Sequence, residues 1–169
     1  MLDRILAAID QSQEGTRALR LAIELAHEID ADLKVIIVLK PLPACFSFAV
    51  SAVFAGMWRQ AQLQKCAALQ TQARQQMRKA GIYADVQLVT GNEVRTILKY
   101  AKECRADLIV MGMRNRTIVT DRTSQDVAER SPCAVLGVPC VHLRVASGSV
   151  LTSPPSRLPQ QRTPASSEL

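Results

Sequence analysis

The sequence predicts one α/β domain, a parallel sheet covered by helices on both faces. Short continuous apolar runs alternate with longer stretches of helical periodicity. The runs are aliphatic or β-branched, and polar turn clusters separate the two kinds of segment. Strands buried on both faces read as continuous apolar runs, and their regular alternation with helices belongs to parallel sheets.

Ile5-Leu6-Ala7-Ala8-Ile9 is the first strand, too short for a helix, and Asp10-Gln11-Ser12 is the turn that ends it. From Gln13 to Ile29 the apolar positions Ala18, Ala22, Leu25 and Ile29 recur at helical spacing, flanked by Leu19, Ile23 and Ala26. Asp30-Ala31-Asp32 breaks that helix. Leu33 to Leu39 follows, with a β-branched centre that suits a strand. Pro41 and Pro43 close it. Residues 44–55 are apolar and fit either a packed loop or the start of the next helix.

Met57 to Ala80 predicts a long helix with Leu63, Cys66, Leu69, Ala73, Met77 and Ala80 on its buried edge; Gly81 suits its C-terminal cap. Ala84 to Thr90 is the third strand. Asn92 is a candidate N-cap for a helix carrying Val94, Ile97, Ala101 and Cys104. Asp107 to Gly112 is the fourth strand. Thr123-Ser124-Gln125-Asp126 resembles a capping box, with Asp in place of Glu, opening a short helix to about Ser131. Ala134 to Val138 is the fifth strand. The expected domain spans residues 1–140. The stretch 141–169 is rich in Pro, Ser, Thr and Gln without apolar periodicity and is expected to be disordered.

Composition excludes several functions. No apolar run approaches the roughly 18 residues of a membrane span. Met1-Leu2-Asp3-Arg4 does not open a signal peptide, so a cytoplasmic location is expected. The five cysteines, at 45, 66, 104, 133 and 140, form no C-x-x-C pair, and His27 and His142 stand in no ligand spacing. A metal site is not expected, and Cys66, Cys104 and Cys133 read as small core residues in a reducing compartment. The formal charge is +6, and no acid lies between Asp32 and Asp85 while Lys34, Lys40, Arg59, Lys65, Arg74, Arg78 and Lys79 do. Aromatic residues at 4% are too few for a base-stacking platform, so this bias reads as a solvated helix face rather than a nucleic-acid surface.

In an open parallel sheet, ligands bind at the carboxyl ends of the strands where the chain order reverses. That points to the crevice between Asp10-Gln11-Ser12 and the loop Gly112-Met113-Arg114-Asn115-Arg116. An acid in the first turn can accept a hydrogen bond from a base or ribose. A glycine followed by arginines in the second can approach phosphate oxygens. Asp10 also suits a plain capping role, and Ser12 suits an N-cap better than a nucleophile. No catalytic elbow and neither common phosphate-loop motif is present. Trp58 reads as packing.

R-I-L-A-A-I-D-Q-S at 4–12, G-N-E-V-R-T-I-L-K-Y-A-K-E-C-R-A-D-L-I-V-M-G at 91–112 and D-V-A-E-R-S-P-C-A-V-L-G-V-P at 126–139 resemble the universal stress protein family in order and spacing. The resemblance implies a flavodoxin-like sheet in the order 3-2-1-4-5. It also implies a homodimer through strand five, residues 134–138. Members that bind ATP carry Gly-x2-Gly-x9-Gly-(Ser/Thr) after the fourth strand. Here Gly112 matches the first glycine, Asn115 stands at the second, and Met113 replaces the usual Ser or Thr. The x9 stretch runs short by about four residues, which removes amides that wrap a phosphate. The closing Gly-Ser falls near Asp121-Arg122, with Thr123-Ser124 as its substitute. Asp10 matches the acid near adenine and ribose, and Val38 the position whose backbone meets the adenine.

The resulting candidate nucleotide crevice is Asp10, Val38, Gly112, Arg114, Asn115, Thr123 and Ser124, with no catalytic residue and no metal ligand. No cofactor is required by this reading, and ATP is the one the resemblance allows. The expected function is a non-enzymatic stress-response module acting through dimerisation and an unnamed protein partner, with weak or lost ATP binding. The alternative is an adenine-nucleotide-binding switch with slow ATP hydrolysis.

Overall fold

The computed structural model describes residues 2–41, 52–113 and 122–139. Nine elements alternate in chain order: β1 (Arg4–Ile9), α1 (Gln13–Glu28), β2 (Asp32–Leu39), α2 (Ala52–Lys79), β3 (Val86–Thr90), α3 (Glu93–Glu103), β4 (Leu108–Met113), α4 (Arg122–Arg130) and β5 (Ala134–Pro139). The strands form one parallel sheet in the order β3-β2-β1-β4-β5. Chain order therefore reverses between β1 and β4, as the resemblance implies.

Side-chain alternation along the strands divides the core in two. Ile5, Ala7, Ile9, Val35, Ile37 and Val110 pack with α1 and α2 on one face. Leu6, Ile36, Ile109 and Met111 pack with α3 and α4 on the other. Local signals set the ends of these elements. Ser12 caps α1 by accepting from the Gly15 amide at 3.0 Å. Asn92 caps α3 by accepting from the Arg95 amide at 3.1 Å. Gly81 follows α2 with a φ of 75°, a conformation glycine adopts without strain. Asp30 breaks the chain after α1 with a φ of 53°.

Two expectations are corrected. Helix α2 begins at Ala52, five residues before the expected Met57, so the apolar stretch that ends at residue 55 runs into helix at its end. Leu63 is 41% exposed rather than buried. The buried edge of α2 starts at Cys66 and continues through Leu69, Ala73 and Met77, because the helix meets β2 and β3 only along its second half. The expected tail from 141 onward, with Cys45 and Cys140, lies outside the described residues. No helix among the described residues is long and apolar enough to cross a membrane.

Candidate functional site

The reversal point carries a crevice at the carboxyl ends of β1, β2 and β4. A cavity of about 90 Å³ is lined by Ala8, Ile36, Val38 and Met111 on its apolar side and by Asp10 and Glu93 among its polar groups. It adjoins a second cavity of about 350 Å³ that reaches Trp58, Cys66 and Leu69. Asp10, Ser12, Val38, Lys40 and Glu93 border both. The smaller cavity alone is far below the ~300 Å³ at which ligand pockets begin, whereas the larger one reaches that size.

The wall from β1, α1 and β4 is built by close packing. Asp10 Oδ1 accepts from the Ser12 amide at 3.1 Å and from the Ser12 hydroxyl, so the acid first holds the turn that starts α1. Gly112 lies against the first turn of that helix. A Cβ added there would come within 2.7 Å of both the Glu14 carbonyl carbon and the Gly15 nitrogen. A Cβ on Gly15 would lie 2.6 Å from the Asp10 carbonyl oxygen and 2.8 Å from its nitrogen. The glycine at 112 thus has a packing reason that needs no phosphate.

The opposite wall is polar. Lys40, past the end of β2, pairs with Glu93 at 3.0 Å between Nζ and Oε2. Thr123 in α4 donates its hydroxyl to the same Glu93 oxygen at 3.2 Å. Ser124 donates to the Gly112 carbonyl at 3.3 Å. These two hydroxyls correct the expected capping box: α4 begins at Arg122, so Thr123 and Ser124 lie inside the helix and bond to β4 and α3 instead. Among the described residues, the lining of the smaller cavity holds two carboxylates and one ammonium group, and that ammonium faces a carboxylate.

The structure brings Asp10, Val38, Gly112 and Thr123 to one crevice, with Ser124 bonded to its edge. Arg114 and Asn115 lie outside the described residues, as does Asp121. Asp107 is at the other end of the sheet, where Oδ2 accepts from the Asp3 and Arg4 amides at 3.0 Å each. No group of three potential metal ligands occurs among the described residues. Trp58 is half-buried and borders the larger cavity. Cys66 lies beside it, and burial pushes its thiol pKa up, against a smaller opposing effect of its hydrogen bond from Gln11.

Lys40 and Glu93 were not apparent from the sequence as site residues. The available signal was indirect. Glu93 follows an N-cap, where an acid is ordinarily explained by the helix dipole, and Lys40 follows a strand.

A family model settles the kinship: the Universal stress protein family matches residues 1–139. The chain belongs to the universal stress protein family. Its relative YxiE, the universal stress protein of Bacillus subtilis (strain 168), is 27% identical over 145 residues, covering 80% of this chain and 98% of YxiE. The universal stress protein UspA from Lactobacillus plantarum superposes with a TM-score of 0.68 at 21% identity, covering 81% of this chain and 97% of the other. A universal stress protein from Archaeoglobus fulgidus, solved in complex with dAMP, gives 0.60 at 20% identity, covering 82% and 99%. These superpositions share the fold, a five-stranded parallel sheet in the order 3-2-1-4-5 with helices.

Proposed function

We propose that this universal stress protein is a non-enzymatic regulatory module that works through dimerisation and protein partners, with ATP binding weak or lost. The observation that carries this reading is the polar wall. Its lysine faces Glu93, and Thr123 donates to the same carboxylate, so two donors suited to phosphate oxygens are engaged by the protein itself. The short loop after Gly112, with Asn115 and Met113 in place of the family's usual residues, supports the same conclusion.

A second reading has its own support. The apolar side formed by Ala8, Ile36, Val38 and Met111 suits a flat base, and the Archaeoglobus relative was solved with a nucleoside monophosphate. On that reading the crevice takes an adenine nucleotide as a switch, with Asp10 on the ribose and Val38 on the base.

Equilibrium binding of ATP to the purified protein separates the two. The regulatory reading predicts affinity weaker than the micromolar range and little change on Asp10→Ala. Low-micromolar affinity that Asp10→Ala abolishes overturns it in favour of the switch.

The homodimer proposal rests on β5, which ends the sheet beside β4 and presents an outer edge. Such an edge needs a cover, and a second copy supplies one. Sedimentation at high micromolar concentration is expected to show a dimer; a monomer there contradicts it.

A further inference from the structure

Glu93 receives contacts from two other parts of the fold. Lys40 reaches it from the end of β2 and Thr123 from α4. Its side chain is 24% exposed, against 66% for Lys40. An ammonium group and a hydroxyl converging on one anionic oxygen are the donors that would otherwise hold a phosphate oxygen. Here the anion is supplied by the chain. Its charge also sits in the same small cavity as Asp10, so a phosphoryl group entering would meet two carboxylates.

We propose that Glu93 is a specificity-determining residue that stands in for a phosphate, so that the crevice selects an uncharged nucleoside over its phosphorylated forms. This rests on the reading that phosphate binding is weakened, and adds a cause within the described residues. The cause is reversible by one isosteric change. Glu93→Gln keeps an acceptor for the Thr123 hydroxyl, removes the negative charge and leaves Lys40 to a ligand. Two effects then act in one direction. Repulsion of the phosphate falls, and a cation becomes available to it. Both strengthen with ligand charge, and both weaken with salt because the pair is partly exposed. Adenosine, which carries no charge, has no reason to respond.

The experiment is a calorimetric titration of wild type, Glu93→Gln, Lys40→Met and the double variant with adenosine, AMP and ATP at two salt concentrations. In Glu93→Gln the affinity for ATP relative to adenosine should rise about tenfold at low salt, less for AMP, and less again at high salt. Lys40→Met alone leaves the Glu93 carboxylate uncompensated and should lower the affinity for ATP relative to adenosine, and in the Glu93→Gln background, where the charge of the pair returns to that of wild type, it should remove most of the gain. An unchanged ATP-to-adenosine ratio in Glu93→Gln overturns the proposal, as does the absence of measurable ATP binding in that variant. A gain that survives Lys40→Met in full, or a rise in the ATP-to-adenosine ratio on Lys40→Met alone, overturns it too. Should Glu93→Gln fail to fold, Glu93→Ala removes the same charge and should give the same rise; no rise there overturns the proposal. The underlying reading fails separately, if wild type already binds ATP far more tightly than AMP.

Discussion

The two walls of the crevice are made differently. On the β1–β4 side, backbone meets backbone: Gly112 and Gly15 allow the first turn of α1 to lie against β4 and the Asp10 turn. On the other side, side chains from residues 40, 93 and 123 meet across the fold through polar contacts. The first wall is rigid and intolerant of added atoms. The second is adjustable, and its lysine is mostly exposed, so the ion pair itself contributes only about 0.2–1 kcal/mol. The contrast teaches that stability and selectivity are separable here. Changes in the close-packed wall should cost fold, and changes in the polar wall should alter binding.

The largest effect expected is on the packed wall. Gly112→Ala should destabilise the protein by about 3 kcal/mol, because the atoms its Cβ meets are backbone and cannot turn aside. Urea denaturation would measure it. Gly56→Ala is the matched control. It lies in α2 with nothing within 4 Å of an added Cβ, and should stabilise by about 0.5–1 kcal/mol through helix propensity. If both substitutions have the same sign, the close-packing account of Gly112 is wrong.

A second test sharpens the same distinction along α2. Leu69 is 7% exposed and Leu63 41%. Leu69→Ala should cost about 2–4 kcal/mol and Leu63→Ala well under half of that, both read from denaturation midpoints. Equal losses would mean that the first half of α2 is covered in solution, for instance by a second copy.

Much of this was legible in the sequence. Strand runs such as Leu33–Leu39, the Ser12 and Asn92 caps and the Gly81 stop are local signals, and they appear where local physics puts them. The location of the crevice was legible too, because it depends on strand order. The polar wall was not. Lys40, Glu93 and Thr123 are brought together only by the parallel topology, and each has an ordinary local explanation that conceals its role. Thr123 and Ser124 misled for a related reason: a hydroxyl pair before a helical run imitates a cap, while tertiary acceptors on Glu93 and Gly112 compete for the same groups. Leu63 misled because apolar spacing shows which face of a helix is apolar, without showing how far along its length a partner extends.

The next effect is smaller. Asn92→Ala removes the acceptor for the Arg95 amide and should cost about 1 kcal/mol, visible as a lower denaturation midpoint. Because Glu93 is the next residue, a change in nucleotide selectivity on Asn92→Ala would show that the polar wall depends on helix position as well as charge.

The smallest effect concerns chemistry beside the crevice. Burial raises the Cys66 pKa, so the neutral thiol is the favoured form in the folded state. Stability from this group is present below the thiol's ordinary pKa and is lost as pH rises through the higher folded value. Peptide-resolved alkylation should find Cys66 labelled more slowly than an exposed cysteine at mildly alkaline pH, with the difference narrowing as pH rises. Rapid labelling at neutral pH would contradict its burial.

On the reading proposed above, the crevice keeps a surface for a base and lacks a working grip on phosphates. Parallel titrations of the wild-type protein with AMP and ATP test it most directly. ATP should bind no more tightly than AMP, and neither affinity should fall as salt rises, because salt screens the repulsion from Asp10 and Glu93. ATP binding a hundredfold tighter than AMP, with a steep salt dependence, would contradict it.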